Sequence, residues 1–526
     1  MNTAPAIACN VSYRLPALVC AIILILQPAT LHAQANYAAF ELEREENWQP
    51  IMLEDMNGDS RKDIVVSHFE PELGRELHVY HQQADGSFTA TPQRIEVKTE
   101  IIAIGFADLR PDPGQELVLF ANNGVFSLST SIEGYAGNLK LLAQWDLIAA
   151  IPDQEQVQFT NIPADINGDG EIDLLLAGND EYGLFLGQGN EEFELALSFR
   201  TLNEDITPIQ RARNDVDLDA NLGINAEQGV VVELNVETPT PFANFIEVWN
   251  PGANDSSALL RSEQWMPTAV LAHFDGDELL DIAYLNAGDD GLGRMNIHYQ
   301  NQDNLFGQQA DWNGDLDSRG DLELVDLNSD GLTDLLRLSG DGNSWDARFY
   351  LNEGGRFDFA TPDQVMRFSG YDMNLEVLEL VADEPVLVVS FYTVPVVDAI
   401  RNASINRTQL IYGRDNVEPG QLFNRRPDSR LEESFSAENV RGLSEQMSLQ
   451  YDVNGDGLLD ALYVTANGTL AAKKIGDQLQ IAEQPFWEYV SPRNVFEFEV
   501  LQLNDDQLPD LLLRHGTTST LLVALP

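Results

Sequence analysis

Asp55, Asn57, Asp59 and Asp63 set oxygen-bearing side chains at places one, three, five and nine of the stretch DMNGDSRKD, which runs directly into the apolar segment IVVSHF. The same set stands complete in Asp165, Asn167, Asp169 and Asp173 (DINGDGEID), in Asp326, Asn328, Asp330 and Asp334 (DLNSDGLTD), and in Asp452, Asn454, Asp456 and Asp460 (DVNGDGLLD). Alternate residues of a tight turn point into one concavity. Hard oxygen donors gathered there suit Ca2+, which takes about 6–8 oxygens at about 2.3–2.6 Å, with a backbone carbonyl near place seven and water completing the shell. Without a cation, the carboxylates of one loop repel one another at short range.

A helix–loop–helix calcium module begins similarly but needs a bidentate glutamate at place twelve and a helix on each side. Place twelve is Val66, Leu176, Arg337 and Tyr463 here, and the flanks read as strands. The pattern is therefore a calcium-binding β-hairpin, its ninth residue starting the next strand. Weaker copies begin at 108 (DLRPDPGQE), 273 (HFDGDELLD) and 502 (QLNDDQLPD). The 273 copy keeps Asp275, Asp277 and Asp281, and the 502 copy keeps Asn504, Asp506 and Asp510, so both remain metal candidates. In the 108 copy Arg110 takes place three and is expected to neutralise Asp108, Asp112 and Glu116 instead of a metal.

Neighbouring copies start 50 to 57 residues apart where both are visible. A fixed period of that order signals a repeat architecture. Two double-length intervals predict eroded units near 215 and near 380, where the loop shrinks to ADEP. Within the third unit, VQFTNIPAD, IDLLLAG, YGLFLGQG and FELALSFR are short Val-, Ile-, Leu- and Phe-rich segments bounded by Gly, Asn and Asp. They read as a four-stranded antiparallel meander. Helical periodicity is confined to the stretch 429–447, to which a turn or two of helix is assigned. Such units without helical crossovers predict an all-β propeller with seven to nine blades, nine by repeat count. The last unit runs out after three strands while NYAAFELERE stands spare near the start, so the N-terminal strand is expected to close the ring.

The motif D-x-N-G-D-G-x-x-D followed by an apolar strand resembles the FG-GAP/VCBS repeat, known from integrin alpha-subunit propellers and many exported bacterial proteins. The resemblance covers nearly the whole chain after residue 36. It implies a propeller with Ca2+ in the loops of one rim and a role in adhesion, assembly or ligand binding. His273 and Gln502 in place of the first aspartate, and Arg110 at place three, depart from the family pattern.

At the N-terminus, Arg14 precedes the apolar run LPALVCAIILIL, and AQA at 33–35 offers the small residues of a signal-peptidase site. Residues 1–35 are read as a signal peptide and 36–526 as the propeller, which places the mature protein outside the cytoplasm: secreted, periplasmic or on the cell surface. An uncleaved anchor and lipidation at Cys20 are the alternatives. The apolar run is shorter than the roughly 20 residues of a membrane span, and no later segment of the chain resembles one. Both cysteines, Cys9 and Cys20, leave with the leader, which excludes disulfides and thiolate chemistry from the mature chain. With 85 Asp and Glu against 30 Lys and Arg, the net charge is −55, which repels phosphate and argues against nucleic acid.

No G-x-S-x-G elbow, phosphate-cradling G-x-x-x-x-G-K or H-E-x-x-H motif occurs. His78 and His81 fall on opposite faces of a strand, which leaves a histidine metal site unsupported. Trp249, Trp265, Trp312, Trp345 and Trp487 are read chiefly as packing between blades, with a sugar-stacking or protein-binding face as the other reading. The sequence thus predicts an exported calcium-binding module for a protein or polysaccharide surface ligand. The alternatives are a carbohydrate-active enzyme, lyase or glycosidase, on the same scaffold and a passive structural domain of an envelope complex.

Overall fold

A computed structural model describes, apart from a few short stretches, residues 36–43, 51–147, 155–200, 269–394, 404–436 and 447–525, together with three short strands within 233–261. Among these residues every regular element is a strand. The leader, with Cys9 and Cys20, lies outside the described residues, as do Trp249 and Trp265.

The strands form eight four-stranded antiparallel blades. Blade 1 comprises Met52–Glu54, Asp63–Glu70, Gly74–Tyr80 and Gln93–Val97, from the innermost strand to the outermost. Blade 2 comprises Ile101–Ala107, Glu116–Ala121, Gly124–Leu128 and Lys140–Ala143, and gains a fifth strand where Gln158–Phe159 runs parallel beside Ile101–Ala107. Gly105 permits the close passage of the chain just after that strand, because a Cβ there would stand 2.9 Å from the Pro163 ring and 3.1 Å from the Thr160 carbonyl. Blades 3 to 7 occupy 163–200, 270–317, 321–368, 371–436 and 448–489.

Middle strands are sandwiched between two neighbouring blades, so both faces are buried and the sequence reads as a continuous apolar run. In Glu116–Ala121, Leu117 and Leu119 pack with blade 1, while Val118 and Phe120 pack with blade 3. Val386 and Val388 face blade 7, and Leu387 and Val389 face blade 5. Apolar clusters of this kind join every consecutive pair of blades around the ring.

Blade 8 closes the circle. Its inner strands are Glu497–Leu501, Asp510–Arg514 and Thr518–Leu525, and its outermost is the N-terminal Asn36–Glu43, paired antiparallel from Asn36↔Leu525 to Glu43↔Thr518. Leu42 packs with Leu512 and Leu521 of its own blade and with Ile64 and Val66 of blade 1. The expected closure by the spare N-terminal strand is what the register shows.

The ring has eight blades, within the expected seven to nine and one fewer than the repeat count: Tyr182 and Phe199 of blade 3 lie directly against Tyr284 of blade 4, with ring centroids 5.8 and 5.3 Å apart. No blade stands between them. The unit inferred near 215 lies outside the described residues, and the strands Glu233–Leu234, Asn244–Glu247 and Ala258–Arg261 form a separate three-stranded sheet. The unit near 380 is a true blade whose first two strands, Tyr371–Val381 and Glu384–Thr393, turn so sharply that no acidic loop remains. Finally, Ser429–Ser436 is the outermost strand of blade 6 rather than helix: its residues pair antiparallel with Ser404–Ile411, which overrides the local helical pattern.

Candidate metal-binding rim

Each acidic loop joins the innermost strand of a blade to the second, so topology sets all seven on the same rim of the ring. Two places anchor the loop before any metal is considered. Place two is apolar in every copy, and Met56, Ile166, Phe274, Leu327, Val453 and Leu503 are buried. The ninth-place carboxylate is buried as well: Asp63, Asp173, Asp281, Asp334 and Asp510 are 0 % exposed. It accepts the place-two amide in each loop, as in Ile166 to Asp173 at 2.9 Å and Leu503 to Asp510 at 2.8 Å. Its other oxygen takes an amide at the end of the third strand, from Gln82, Gly187, Gln300, Asn352 or Ala524, at 2.7–3.0 Å.

Burial pushes the carboxyls of Asp281 and Asp460 up to about 6 and those of Asp334 and Glu116 up to about 7, with the hydrogen bonds pulling the other way. The ninth acid is thus a staple holding the hairpin to its blade. The repeating apolar place two was the signal in the sequence for that role.

Places one, three and five meet at the solvent side. The Asp165 carboxylate accepts the amides of Gly168, Asp169 and Gly170 at 2.7, 3.1 and 2.9 Å; Asn167 Oδ1 accepts Asp169 N at 3.0 Å, and Asp169 accepts Glu171 N at 2.8 Å. Asp55, Asn57 and Asp59, Asp326, Asn328 and Asp330, and Asp452, Asn454 and Asp456 repeat most of this pattern. Glycines with φ between +70° and +89°, including Gly58, Gly168, Gly170, Gly331, Gly455 and Gly457, allow the turn.

The donor chemistry fits a hard divalent cation, with oxygens only and no sulfur or imidazole. Among the ninth-place carboxylates, Asp173 Oδ2 already accepts two amides, from Ile166 and Asn167, and Asp460 Oδ2 accepts both Val453 N and Asn454 Nδ2. Among the described residues no group of three acidic or histidine side chains stands in a metal-holding arrangement by itself. Place three is an amide, and two carboxylates per complete loop face solvent.

Charge compensation separates the complete loops. Arg61 pairs with Asp59 within the first, and Lys474 Nζ reaches Asp456 Oδ2 at 2.7 Å in the last. Among the described residues no Lys, Arg or His pairs with Asp165, Asp169, Asp326 or Asp330. Sequence reading had missed Lys474, which reaches the loop from the third strand of its blade.

In the altered loops, His273 Nδ1 bonds the Leu279 carbonyl at 2.8 Å, and Asp275 is pushed up by burial and by Asp277 beside it. Asp277 accepts the Leu279 amide at 3.0 Å. Gln502 Nε2 donates to the Asn504 carbonyl at 2.6 Å, while Asp506 lies outside the described residues. Arg110 departs from expectation. Its guanidinium reaches across to Glu191 of blade 3 at 2.6 Å, to Ser127 Oγ at 2.8 Å and to Asn138 Oδ1 at 3.0 Å. Asp112 is held by Ser129 and Ser131, and Glu116 by the amides of Leu109 and Arg110. The interblade partner is nearer to the extended arginine than its own loop's acids.

Neighbouring loops also interlock. The place-eight amide of one loop donates to the place-one carbonyl of the preceding loop, Gln115 to Asp55 at 2.9 Å and Thr333 to His273 at 2.8 Å. Lys62 Nζ reaches the Gln502 carbonyl at 3.1 Å across the ring closure.

His81 bonds Asp63 at 2.8 Å, and that bond raises its pKa, whereas His78 stacks on His68 with centroids 4.1 Å apart and burial lowers its pKa. Trp312, Trp345 and Trp487 pack within the interblade clusters, which bears out the packing reading for them.

Neither a family model nor a curated protein matches this sequence. Similar solved structures include an Agrocybe aegerita lectin described as recognising non-reducing terminal N-acetylglucosamine, 13 % identical, with 74 % of this chain and 86 % of that chain covered and a TM-score of 0.34. An exotype rhamnogalacturonan lyase is 13 % identical over 93 % of this chain and 74 % of its own, with a TM-score of 0.32. A periplasmic gluconolactonase of Pseudomonas aeruginosa is 13 % identical over 88 % and 99 %, with a TM-score of 0.28. At these values the likeness carries nothing about function.

Proposed function

We propose that this protein is an exported β-propeller of the FG-GAP/VCBS kind, stabilised by calcium on one rim, that works by binding a ligand or partner rather than by chemistry. The observation that carries the reading is the pair of loops at 165 and 326. Each presents two carboxylates and an amide oxygen within a five-residue turn, with no compensating cation among the described residues. Asp165, Asn167, Asp169, Asp326, Asn328 and Asp330 would hold the ion, with Asp173 and Asp334 supporting from beneath. A bound Ca2+ supplies charge neutralisation and a cross-link within the turn.

Extracellular calcium modules have Kd values of about 10⁻⁴–10⁻³ M, which suits a structural role outside the cytoplasm. The leader-like segment at Arg14 and 15–35 supports export, and among the described residues no helix is long and apolar enough to cross a membrane. The test is a calcium titration followed by heat denaturation. Metal bound only to the folded state raises the melting temperature as its concentration rises, and a melting temperature indifferent to calcium would remove the reading.

A further inference from the structure

We propose that the cleft between the outer strand of blade 1 and the Ser129–Leu139 connection of blade 2 is a binding site for a small, uncharged, polyhydroxylated ring, a mono- or disaccharide. This deepens the reading of the protein as a binding module and rests on it. The cleft measures about 410 Å³, within the range of about 300–1,000 Å³ typical of small-molecule sites. One wall is Gln93–Glu96 on the outermost strand of its sheet, so backbone groups of that edge line the opening. The other wall is the connection from Leu128 to Tyr135.

That connection is built differently from its counterparts. Blades 1, 4 and 7 close the same turn with a bridged pair, Gln82↔Phe88, Gln300↔Phe306 and Ile475↔Ile481. Blade 2 replaces the bridge with a loop wrapped around Asn138, which is 2 % exposed. Asn138 Oδ1 accepts Ser129 N at 3.0 Å, and Nδ2 donates to the carbonyls of Ser129, Ile132 and Gly134 at 2.9, 3.1 and 2.9 Å. The wall is therefore ordered before any ligand arrives, and little entropy is lost on binding.

The lining selects the ligand class. Arg94 on one side and Glu96 and Glu133 nearby place both signs of charge at the opening. Glu96 and Lys98 pair with each other, Lys98 Nζ lying 5.5 Å from the Tyr135 ring centre, so an anion meets Glu133 and a cation meets Arg94. A neutral polyol offers a donor and an acceptor on each hydroxyl and satisfies both kinds of group. Ile132, 47 % exposed, and the Tyr135 ring supply an apolar surface for the C–H face of such a ring. The floor is fixed to the first acidic hairpin: Gln93 Nε2 donates to the Thr130 carbonyl at 3.0 Å, Gln93 Oε1 meets His81 Nε2 at 3.0 Å, and His81 Nδ1 meets Asp63 at 2.8 Å.

The experiment is saturation-transfer NMR and calorimetry on the intact protein in calcium, with glucose, galactose, mannose, rhamnose, N-acetylglucosamine and their disaccharides, and with glucuronate and glucosamine as charged probes. The expected result is binding of at least one neutral member with a Kd of about 1 mM or tighter. Arg94→Ala and Ile132→Glu should each weaken it by about tenfold or more, and Leu292→Glu, at an exposed position on blade 4, should leave it unchanged. No binding by any neutral sugar, preference for a charged probe, or equal loss with Leu292→Glu overturns the proposal. The melting temperature with and without EDTA is measured on the same samples. A calcium shift without sugar binding defeats this site alone, whereas absence of both defeats the underlying reading.

Discussion

The carboxylate of Asp334 accepts the backbone amide of Asn352, 18 positions along the chain, at 2.7 Å. Its other oxygen accepts Leu327 N at 2.8 Å, and the Asn352 amide group in turn donates to the Phe274 carbonyl of blade 4 at 2.8 Å. One carboxylate therefore fastens an acidic loop to its own blade and, through one further residue, to the next.

Asp334→Ala leaves two buried amides without acceptors, which costs about 2–4 kcal/mol. Because the loss belongs to the backbone staple, it should appear in urea unfolding with or without calcium. Asp330→Ala, at an exposed place five, should cost little in EDTA and should forfeit only the calcium-dependent part. Similar losses for the two variants in EDTA would refute the division of roles.

Lys474 occupies the solvent side of Asp456 in the last complete loop. Removing it takes a competing cation from the loop, so Lys474→Ala should bind calcium more tightly there than the parent protein does. Calorimetric titration reads the change, and an unaltered isotherm would show that the ammonium yields freely to the metal.

Glu323 lies on the innermost strand of blade 5, and burial, followed by neighbouring Glu376, raises its carboxyl from 4.5 to about 7. The folded protein then holds this proton more tightly than the unfolded chain. Its contribution is fully present below the unfolded value and is lost as pH rises through about 7, a change of about 3 kcal/mol. Glu323→Gln should flatten that part of the profile. Urea midpoints measured between about pH 4 and pH 8 provide the check, and parallel profiles would contradict it.

Ring closure depends on eight residues added from the far end of the chain. Deleting residues 36–43 exposes the edge of Thr518–Leu525 and uncovers the contacts of Leu42. The expected outcome is a much lower melting temperature and self-association through the open edge, with partial recovery when a peptide of that strand is added. A truncated chain that stays monomeric and equally heat-resistant would mean the strand is dispensable.

The blade pattern was legible because each middle strand is buried on both faces and each hairpin needs its own glycines and acids. Closure was legible too, since three strands at one end and one at the other left a single economical arrangement. The range of seven to nine blades held, and only the repeat tally of nine overshot, because it extended the regular spacing over 201–268, a stretch whose flanking blades touch through Tyr182 and Tyr284. Over 429–436 the helix reading failed because local periodicity says nothing of a partner strand at 404–411, while 437–446 lie outside the described residues. Within the loops, spacing identified the oxygen donors. It did not distinguish the ninth carboxylate as a backbone staple, and it assigned Arg110 to its own loop because Glu191 lies 81 positions away in sequence.

Elemental analysis of the purified protein, combined with melting curves in calcium and in EDTA, addresses the rim directly. We expect bound calcium, a melting temperature substantially lowered by chelation, a partial copy of that loss in Asp165→Ala, and none in Asp108→Ala. A protein free of alkaline-earth metal, with superimposable melting curves, would contradict the reading of these hairpins as calcium sites.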